Sequence, residues 1–154
     1  MEYITCFEDL KKIKKNGEYE LKNDVDCENE KIPSIISYFT GKINGKGFTI
    51  RNLVIGDEIW GDEQTLALFV SLNRAEITDI NFENIRMDYT RGSYKPRIGA
   101  LAGSCSDCKI VNVVFSVSNS SNGETPLVYE ANNCEMQNNK IVCNGKEAPV
   151  AKYN

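Results

Sequence analysis

The chain has six cysteines but no histidine, so it has few candidate catalytic or metal-binding residues. Histidine is the commonest general base and the commonest metal ligand, so its absence excludes Ser-His and Cys-His catalysis. Cys105 and Cys108 form a C-x-x-C pair, and Cys134 and Cys143 would complete the four thiolates of a structural zinc site. Zinc sites of this kind usually have a second paired spacing, which is missing, so the signal for a metal is weak.

The glycine-rich stretch Phe39–Gly56, FTGKINGKGFTIRNLVIG, does not fit a phosphate-binding loop. The segment 41–46 has one residue too few between its glycines for a P-loop, and no Ser or Thr follows Lys46. We interpret Asn44-Gly45 and Gly47 as turn residues with positive φ. The outward positions Arg51, Thr78 and Val111 form no acidic cluster. We therefore expect no catalytic residue, no metal site and no cofactor.

Length and charge limit the class of protein. The 154 residues predict one domain, 1–154, and the net charge of −4 argues against direct nucleic-acid binding. No apolar run has the length of a membrane span, and residues 1–20 lack the apolar segment of a signal peptide. We expect a protein of the bacterial cytoplasm without membrane contact, with a secreted or cell-surface location as the alternative.

The first elements are a helix and a strand. Thr5 and Glu8 fit a capping box, and Phe7, Leu10 and Ile13 make an apolar stripe, which predicts a capping helix over 5–16. The alternation that follows puts four residues on one strand face: Tyr19, Leu21, Val25 and Cys27.

A six-residue pattern recurs along the chain at intervals of roughly 23 to 33 residues. Each copy reads apolar, any residue, Asn or Asp, apolar, any residue, apolar. The copies are IRNLVI (50–55), ITDINF (77–82), IVNVVF (110–115) and the weaker MQNNKI (136–141). A second strand precedes the later copies, at 67–69, 100–102 and 126–128, and 149–151 looks like the start of another.

Short strands repeating at this period predict coils that stack and bury one another's apolar faces. The fold class is therefore all-β, a short right-handed parallel β-helix of about four coils with an N-terminal capping helix. Coils occupy 17–145, and 146–154 is a partial terminal coil. We expect a polar ladder of Asn52, Asp79, Asn112 and Asn138 at a corner, and an inward ladder of Ile50, Ile77, Ile110 and Met136.

The chain resembles GLUG-type and pectate-lyase-like β-helix repeat proteins of bacteria and phages. The resemblance lies in D-L at 9–10, G-x-Y-x-L-x-N-D-V-D at 17–26, and F-x-G-x-I-N-G-x-G-F-T-I-x-N-L-x-I at 39–55. Leu68-Phe69 and the segment 98–103 also fit. The resemblance implies the β-helix fold and says little about function, because such repeats serve as stalks, adhesins and binding modules.

The repeat also assigns places to the cysteines. Cys108 aligns with Ala75 and Cys134, Cys105 aligns with Leu72 and Ala131, and Cys143 aligns with Val117. These positions suit small apolar side chains, so a ladder of free thiols is the favoured interpretation. A Cys108–Cys134 disulfide and a zinc site are the alternatives.

Two excursions leave the coils and offer the best candidate for a binding face. Residues 56–65 read GDEIWGDEQT and residues 88–97 read DYTRGSYKPR, and both should leave at the same corner, after Ile55 and near Met87. Trp, Tyr and Arg dominate protein-interface hot spots. The candidate binding residues are Asp57, Glu58, Trp60, Asp62, Glu63, Tyr89, Arg91, Tyr94, Lys95 and Arg97.

Two function classes remain. The first is a non-catalytic protein that binds a protein partner, such as an anti-CRISPR-like inhibitor from a phage or mobile element that blocks a nucleic-acid-binding groove of a host complex. The alternative is a surface or secreted adhesion module that binds glycans through Trp60, Tyr89 and Tyr94. Association of identical chains through the coil ends is compatible with either class.

Overall fold

The fold was obtained as a computed structural model that describes residues 1–58, 65–90, 97–120 and 125–154. Strands account for 60% of the chain and helix for 3%, which confirms the all-β class. The strands are short, and almost every pair between them is parallel. No helix in the described ranges is long and apolar enough to cross a membrane.

The elements follow one another with short connections. The first half contains β1 (Glu2–Ile4), α1 (Phe7–Leu10), β2 (Glu18–Leu21), β3 (Val25–Asp26), β4 (Lys31–Ile32), β5 (Ile36–Phe39), β6 (Lys42–Asn44), β7 (Thr49–Arg51), β8 (Val54–Glu58), β9 (Thr65–Leu66) and β10 (Phe69–Asn73). The second half contains β11 (Glu76–Thr90), β12 (Arg97–Ile98), β13 (Ala102–Ser106), β14 (Lys109–Ser120), β15 (Val128–Asn132), β16 (Glu135–Gln137), β17 (Lys140–Cys143), β18 (Lys146–Ala148) and β19 (Ala151–Tyr153).

These strands make three sheets. The first has twelve strands, with the main order β1-β2-β6-β11-β14-β17-β18 and the short strands β3, β4, β7, β8 and β16 beside it. The second has five strands in the order β19-β15-β13-β10-β5, and the third pairs β12 with β9. Most strands that pair within a sheet come from segments distant in sequence, as β10 does with β13 and β11 with β14.

The inward ladder of the first sheet agrees with the predicted one except at its start. Ile77 pairs with Ile110 and Ile110 with Met136, but the partner of Ile77 on the other side is Ile43. Ile50 pairs with Phe82 instead. The predicted register was wrong here because FENIRM (82–87) repeats the same apolar and Asn pattern as ITDINF five residues earlier. One repeat therefore contains two corners that look alike in sequence.

The polar ladder likewise divides into two. Asn112 Nδ2 donates to Asp79 Oδ1 at 2.8 Å, and Asn138 Nδ2 donates to Asn112 Oδ1 at 2.6 Å, as predicted. Asn52 belongs to a separate column, in which it donates to Asp26 at 3.0 Å and accepts from Asn84 at 2.7 Å.

Every residue of the two columns except Asp26 has positive φ, from 53° at Asp79 and Asn84 to 60° at Asn52. Asn and Asp tolerate the left-handed region better than other residues with a side chain. The pattern of Asn and Asp therefore marks the corners of the chain.

The turn at 44–48 also differs in detail from the prediction. Gly47 has φ +85°, and Lys46 has φ 55°. Gly45 does not have a positive φ. Its role is close approach, because a Cβ there would collide with the carbonyl oxygen of Asp79 and with Ile80. Gly45 N–H donates to the Thr78 carbonyl at 2.8 Å across this approach.

One apolar core fills the space between the sheets. Tyr19, Leu21, Val25 and Cys27 are all buried in it, as the alternation predicted. Phe82 stacks on Phe115 with ring centroids 4.8 Å apart, and Phe39 packs on Phe69 at 5.5 Å. Stacking of like residues on neighbouring strands thus supplies the burial that a single layer of strands lacks.

The N-terminal helix is much shorter than predicted. It spans Phe7–Leu10, and its N-cap is Cys6. Thr5 contacts Asp9 through its amide at 2.9 Å and its hydroxyl at 3.0 Å. The helix stops because the Lys14 amide donates to the Tyr19 hydroxyl at 2.7 Å and not to the Leu10 carbonyl. The prediction of a helix over 5–16 was wrong, since tertiary hydrogen bonds replace its last turns.

The first sheet ends in an antiparallel hairpin. Strand β18 folds back on β17, with Ile141 opposite Ala148 and Cys143 opposite Lys146. Asn144 and Gly145 connect them with φ values of 50° and 83°. Two consecutive residues with positive φ are typical of a type I′ turn, which matches the twist of a two-strand hairpin. The second sheet instead ends in the parallel strand β19.

Candidate functional site

The strands that lead into and out of the two excursions are paired in register. On the leading side Ile55 pairs with Met87 and Gly56 with Asp88, in strands β8 and β11. On the returning side Thr65 pairs with Arg97, in β9 and β12. The prediction that both excursions leave at the same corner is confirmed, and they also return at neighbouring positions.

The predicted binding residues fall into two groups. Asp57, Glu58 and Tyr89 lie in the leading strands, where Asp57 pairs with Tyr89. Arg97 is exposed at the start of β12. The other predicted residues lie outside the described ranges: Trp60, Asp62, Glu63, Arg91, Tyr94 and Lys95.

The five-stranded sheet has a repeated irregularity that shapes its outer surface. In β10, β13 and β15, two buried residues three apart enclose two residues, which are all partly exposed except the buried Gly103. The enclosed pairs are Val70-Ser71, Gly103-Ser104 and Tyr129-Glu130. The second residue of each pair aligns with its counterpart on the next strand and with one residue of each edge strand, β5 and β19. Together they form the outward row Tyr38, Ser71, Ser104, Glu130 and Tyr153.

A pocket of about 110 Å³ lies on this surface, where the excursions return. We call it the return pocket. It is lined by Thr65, Val70, Ser71, Arg97, Gly103, Ser104, Tyr129 and Glu130. A Cβ at Gly103 would collide with Thr65 and approach the Val70 carbonyl oxygen to 2.8 Å, so the missing side chain keeps the space open.

The polar groups of the return pocket carry both signs of charge. Arg97 contributes a guanidinium and Glu130 a carboxylate, and the two serine hydroxyls lie 3.2 Å apart on the floor. These two charges cancel, so the pocket has no net charge. It offers both hydrogen-bond donors and acceptors to a partner.

Tyrosines stand at both ends of the outward row. Tyr129 and Tyr153 pack edge to face at 5.4 Å, with the Lys152 ammonium 5.3 Å and 5.6 Å from the two rings. At the other end Tyr38 lies 5.1 Å from the Lys15 ammonium and accepts a hydrogen bond from Asn73 at 3.0 Å. Exposed tyrosines next to cations are common in binding surfaces, because one ring supplies both apolar area and a polar hydroxyl.

A larger and shallower groove of about 510 Å³ lies on the first sheet, beside the ladder of Asp79, Asn112 and Asn138. Val114 is 44% exposed on this sheet and contributes to the lining. The amides of the lining largely bond to one another or to backbone, as Asn81 does with the Gly47 carbonyl at 3.1 Å. The lining also includes Lys140 and Glu147 but none of the predicted binding residues, whereas the return pocket includes Arg97 and is the better candidate.

The cysteines occupy the predicted positions. Leu72 pairs with Cys105 and Cys105 with Ala131, and Val117 pairs with Cys143. Lys109 N–H donates to Ala75 and Glu135 N–H donates to Cys108, which aligns Ala75, Cys108 and Cys134. All six cysteines lie within the described residues, and each is a free thiol.

Three of the thiols form a cluster of Cys105, Cys108 and Cys134. The Cys134 sulfur lies 3.4 Å from the Cys105 sulfur, and the Cys108 sulfur lies 3.2 Å from the Ser106 carbonyl oxygen. A hydrogen bond with the Cys105 thiol lowers the pKa of Cys108 to about 7, although burial opposes the change. The same hydrogen bond, together with burial, raises the pKa of Cys105.

No group of three or more His, Cys, Asp or Glu side chains that could hold a metal ion occurs in the part of the chain that the structure describes. The fourth thiol of the predicted zinc alternative, Cys143, is hydrogen-bonded to the Thr125 carbonyl at 3.2 Å. It is thus engaged away from the cluster of Cys105, Cys108 and Cys134.

The residues of the return pocket outside the excursions were missed by sequence reasoning. Strict alternation assigns Val70, Gly103 and Tyr129 to one face and the residues that follow them to the other. The available signal was the serine that recurs between two apolar residues three apart in FVSL (69–72) and AGSC (102–105). Both enclosed residues of β10 and of β15 are partly exposed, which strict alternation does not predict.

Comparisons of this chain with family models, curated proteins and solved structures find no match, so its function is inferred from the geometry of the site.

Proposed function

We propose that the chain is a non-catalytic binding protein whose partner contacts the two excursions and the return pocket beside them. The proposal rests on one observation, the register of the strands that flank both excursions, from Ile55 opposite Met87 to Thr65 opposite Arg97. Both segments are thus attached at each end to paired strands. Repeat proteins commonly place their insertions on the binding face in this way.

The composition of this surface favours a protein partner. Trp60, Arg91 and Tyr94 belong to the residue types that supply most interface energy, and Tyr129 and Tyr153 extend the aromatic area across the outer sheet. The return pocket could receive a single side chain, since its volume of about 110 Å³ is below the roughly 300–1,000 Å³ of sites for whole small molecules.

We further propose that the partner is a host macromolecular complex and that the chain acts as a cytoplasmic inhibitor encoded by a phage or mobile element. The six free thiols suit a reducing compartment. Charges on the first sheet alternate along the row Glu18, Lys42, Glu76, Lys109 and Glu135. A row of alternating sign does not resemble a phosphate backbone, so direct contact through the excursions is the mechanism that we favour over imitation of nucleic acid.

We also propose that the paired strands form a short right-handed parallel β-helix. Support comes from the hydrogen-bonded side chains of one column, which are 33 residues apart between Asp79 and Asn112 and 26 apart between Asn112 and Asn138. Parallel strands joined by crossovers are nearly always right-handed. A crystal structure tests this directly, and strands stacked in any order other than coil on coil would contradict it.

The binding proposal is tested by affinity capture with the full chain from a bacterial lysate, followed by titration of the purified partner. Trp60→Ala, Arg91→Ala and Arg97→Ala should each weaken binding at least tenfold while circular dichroism stays unchanged. Lys109→Ala is the matched control, because Lys109 is also an exposed strand cation but lies on the first sheet. Equal affinity of all four variants would show that the partner binds elsewhere.

A glycan-binding module is the second candidate, favoured by the tyrosines and serine hydroxyls that share the outer face of the five-stranded sheet. Aromatic rings pack on the apolar faces of sugar rings, and hydroxyls bond to their edges. A glycan array distinguishes the candidates, since specific binding that is lost in Tyr129→Ala would support the glycan module and would argue against an exclusively protein partner.

A further inference from the structure

We propose that Cys134 and Cys105 form an oxidative modification site, in which a hydroperoxide oxidises Cys134 and Cys105 then closes a disulfide with it. This site is independent of the binding function proposed above. The sequence register favoured Cys108 as the partner of Cys134, because those two residues occupy equivalent positions in consecutive repeats. The contacts of the three thiols point to a different pair.

Geometry selects Cys105 as the partner. The Cys134 sulfur contacts both the sulfur of Cys105, at 3.4 Å, and its carbonyl oxygen, at 3.3 Å. The Cys134 side chain is thus already directed at Cys105. A disulfide needs an S–S bond of about 2.05 Å, so the two sulfurs must approach further while their strands stay paired through Cys105 and Ala131.

Exposure sets the order of events. Cys134 is partly exposed, whereas Cys105 is completely buried and Cys108 is 3% exposed. A dissolved oxidant therefore meets Cys134 first. Exposure and thiolate character together decide which cysteine in a protein is oxidised. Cys6 is also exposed to solvent, but its thiol is hydrogen-bonded to the Asp9 carboxylate and not to a second thiol.

The chemistry balances in two steps. In the first, the Cys134 sulfur attacks the terminal oxygen of the hydroperoxide, the O–O bond breaks, and the leaving oxygen takes the thiol proton as an alcohol. Cys134 is then a sulfenic acid. In the second, the Cys105 thiol attacks the Cys134 sulfur and gives up its proton as the S–S bond forms, the S–O bond breaks, and the departing hydroxide takes up a proton to become water. Two thiols lose two electrons in total, and the hydroperoxide gains them.

Cys108 supplies the proton acceptor for the second step. Cys105 is buried and a poor acid on its own, but its thiol is hydrogen-bonded to Cys108, and this contact lowers the pKa of Cys108 to about 7. The Cys108 thiolate takes the Cys105 proton as Cys105 attacks. Once protonated, the Cys108 thiol can donate to the Ser106 carbonyl oxygen, 3.2 Å away. Cys108 is therefore a positioning residue that acts through Cys105.

The experiment uses the full chain carrying Cys6→Ala, which removes the exposed thiol that could link two molecules. The reduced protein is treated with hydrogen peroxide, quenched by alkylation, and mapped by mass spectrometry. We expect loss of two hydrogen atoms and one cross-linked peptide pair containing Cys105 and Cys134. Dithiothreitol should reverse the change. A Cys108–Cys134 or Cys105–Cys108 pair, or no cross-link, would overturn the proposal.

Variants separate the roles of the three thiols. Cys105→Ala should leave Cys134 as a sulfenic acid that a dimedone probe labels, and Cys134→Ala should protect Cys105 from peroxide. Cys108→Ala should slow disulfide closure at pH 7 about tenfold or more without changing the rate of sulfenic acid formation, because thiolate supply limits only the second step. Equal closure rates with and without Cys108 would remove it from the mechanism.

Cys143→Ala is the matched control, because Cys143 is a buried thiol that is hydrogen-bonded to Thr125, away from the cluster. It should leave both steps unchanged. If Cys134→Ala fails to fold, as circular dichroism would show, Cys134→Ser tests the same step with a side chain of nearly equal size. Oxidation of Cys105 in a folded Cys134→Ser variant would contradict the order of events.

Discussion

The outer faces of the two large sheets differ in what their side chains are bonded to. On the twelve-stranded sheet Asn112 bonds to Asp79 and Asn138, and Lys42 lies 3.2 Å from Glu76. On the five-stranded sheet the central strands carry Gly103 and two serines between tyrosines, and a pocket remains. Stacked repeats satisfy like polar groups by pairing them with one another. A pocket remains where a small residue, Gly103, takes the place of a larger one.

The largest effect should come from breaking the polar ladder at Asn112. Asn112→Ala forces alanine into φ 58° and removes two ladder hydrogen bonds, so we expect a loss of about 2–3 kcal/mol in the free energy of unfolding. Urea denaturation measures it.

Asn112→Gly is the control for that substitution, because glycine adopts positive φ without strain. It should lose only about 1 kcal/mol, the part due to hydrogen bonds. Equal losses in the two variants would mean that the left-handed conformation contributes nothing at this corner.

On the other face, filling the return pocket should be the next largest perturbation. Gly103→Ala places a methyl group against Thr65 and the Val70 carbonyl, and overpacking of this kind costs about 1–3 kcal/mol. The measurement is the denaturation midpoint, together with partner affinity in the capture assay.

Ser104→Ala is the matched control for Gly103→Ala, since it alters the same pocket without adding volume. We expect it to change stability by less than about 1 kcal/mol. A Gly103→Ala variant as stable as this control would indicate that Thr65 moves away easily and that the pocket is not fixed.

A smaller, pH-dependent effect should come from the buried thiol Cys27. Burial raises its pKa from 9.0 to about 12, with a further contribution from the charge of Asp26. The folded chain thus keeps a proton that the unfolded chain loses above pH 9. The stabilisation is complete below pH 9 and is lost as the pH rises towards 12, by up to about 1.4 kcal/mol per pH unit.

The comparison of wild type with Cys27→Ala isolates the contribution of this thiol to the pH dependence of stability. Urea midpoints measured between pH 8 and 11 should fall more steeply for the wild type. Parallel curves for the two proteins would show that the Cys27 proton is not linked to folding.

The smallest effect should come from the charge rows of the first sheet. Lys42→Ala removes an ion pair whose side chains are 58% and 37% exposed, so water screens most of the attraction. We expect a loss of less than about 1 kcal/mol, decreasing further in salt. A larger loss would mean that the alternating row acts as a network and not as separate pairs.

The sequence predicted the all-β class and the register of the cysteines, because burial of stacked like residues leaves a strong periodic signal. It predicted the ladder of Asp79, Asn112 and Asn138 for the same reason. It misplaced Asn52 and Ile50, since both corners of a repeat demand the same residue types. The length of α1 could not be predicted either, because the hydrogen bond from Lys14 to Tyr19 depends on how distant strands pack.

The return pocket was harder still to predict. It depends on Gly103 and on the two successive partly exposed residues of β10 and β15, whereas glycines in strands also occur at bulges and where another backbone approaches closely. Arg97 was identified only because it ends an excursion, and the described structure brings it beside Glu130 and Tyr129 in the pocket lining.

The hairpin of β17 and β18 has a consequence for self-association. A stack of parallel rungs is a natural template for endless fibre growth, because each exposed edge can accept another identical rung. In the first sheet the last edge runs antiparallel, so an incoming copy in the parallel orientation finds the wrong hydrogen-bond pattern. In the second sheet β19 keeps the parallel direction. The two edge strands therefore run in opposite directions relative to their sheets, and one incoming copy cannot pair with both in the parallel orientation. This arrangement disfavours polymerisation at this end.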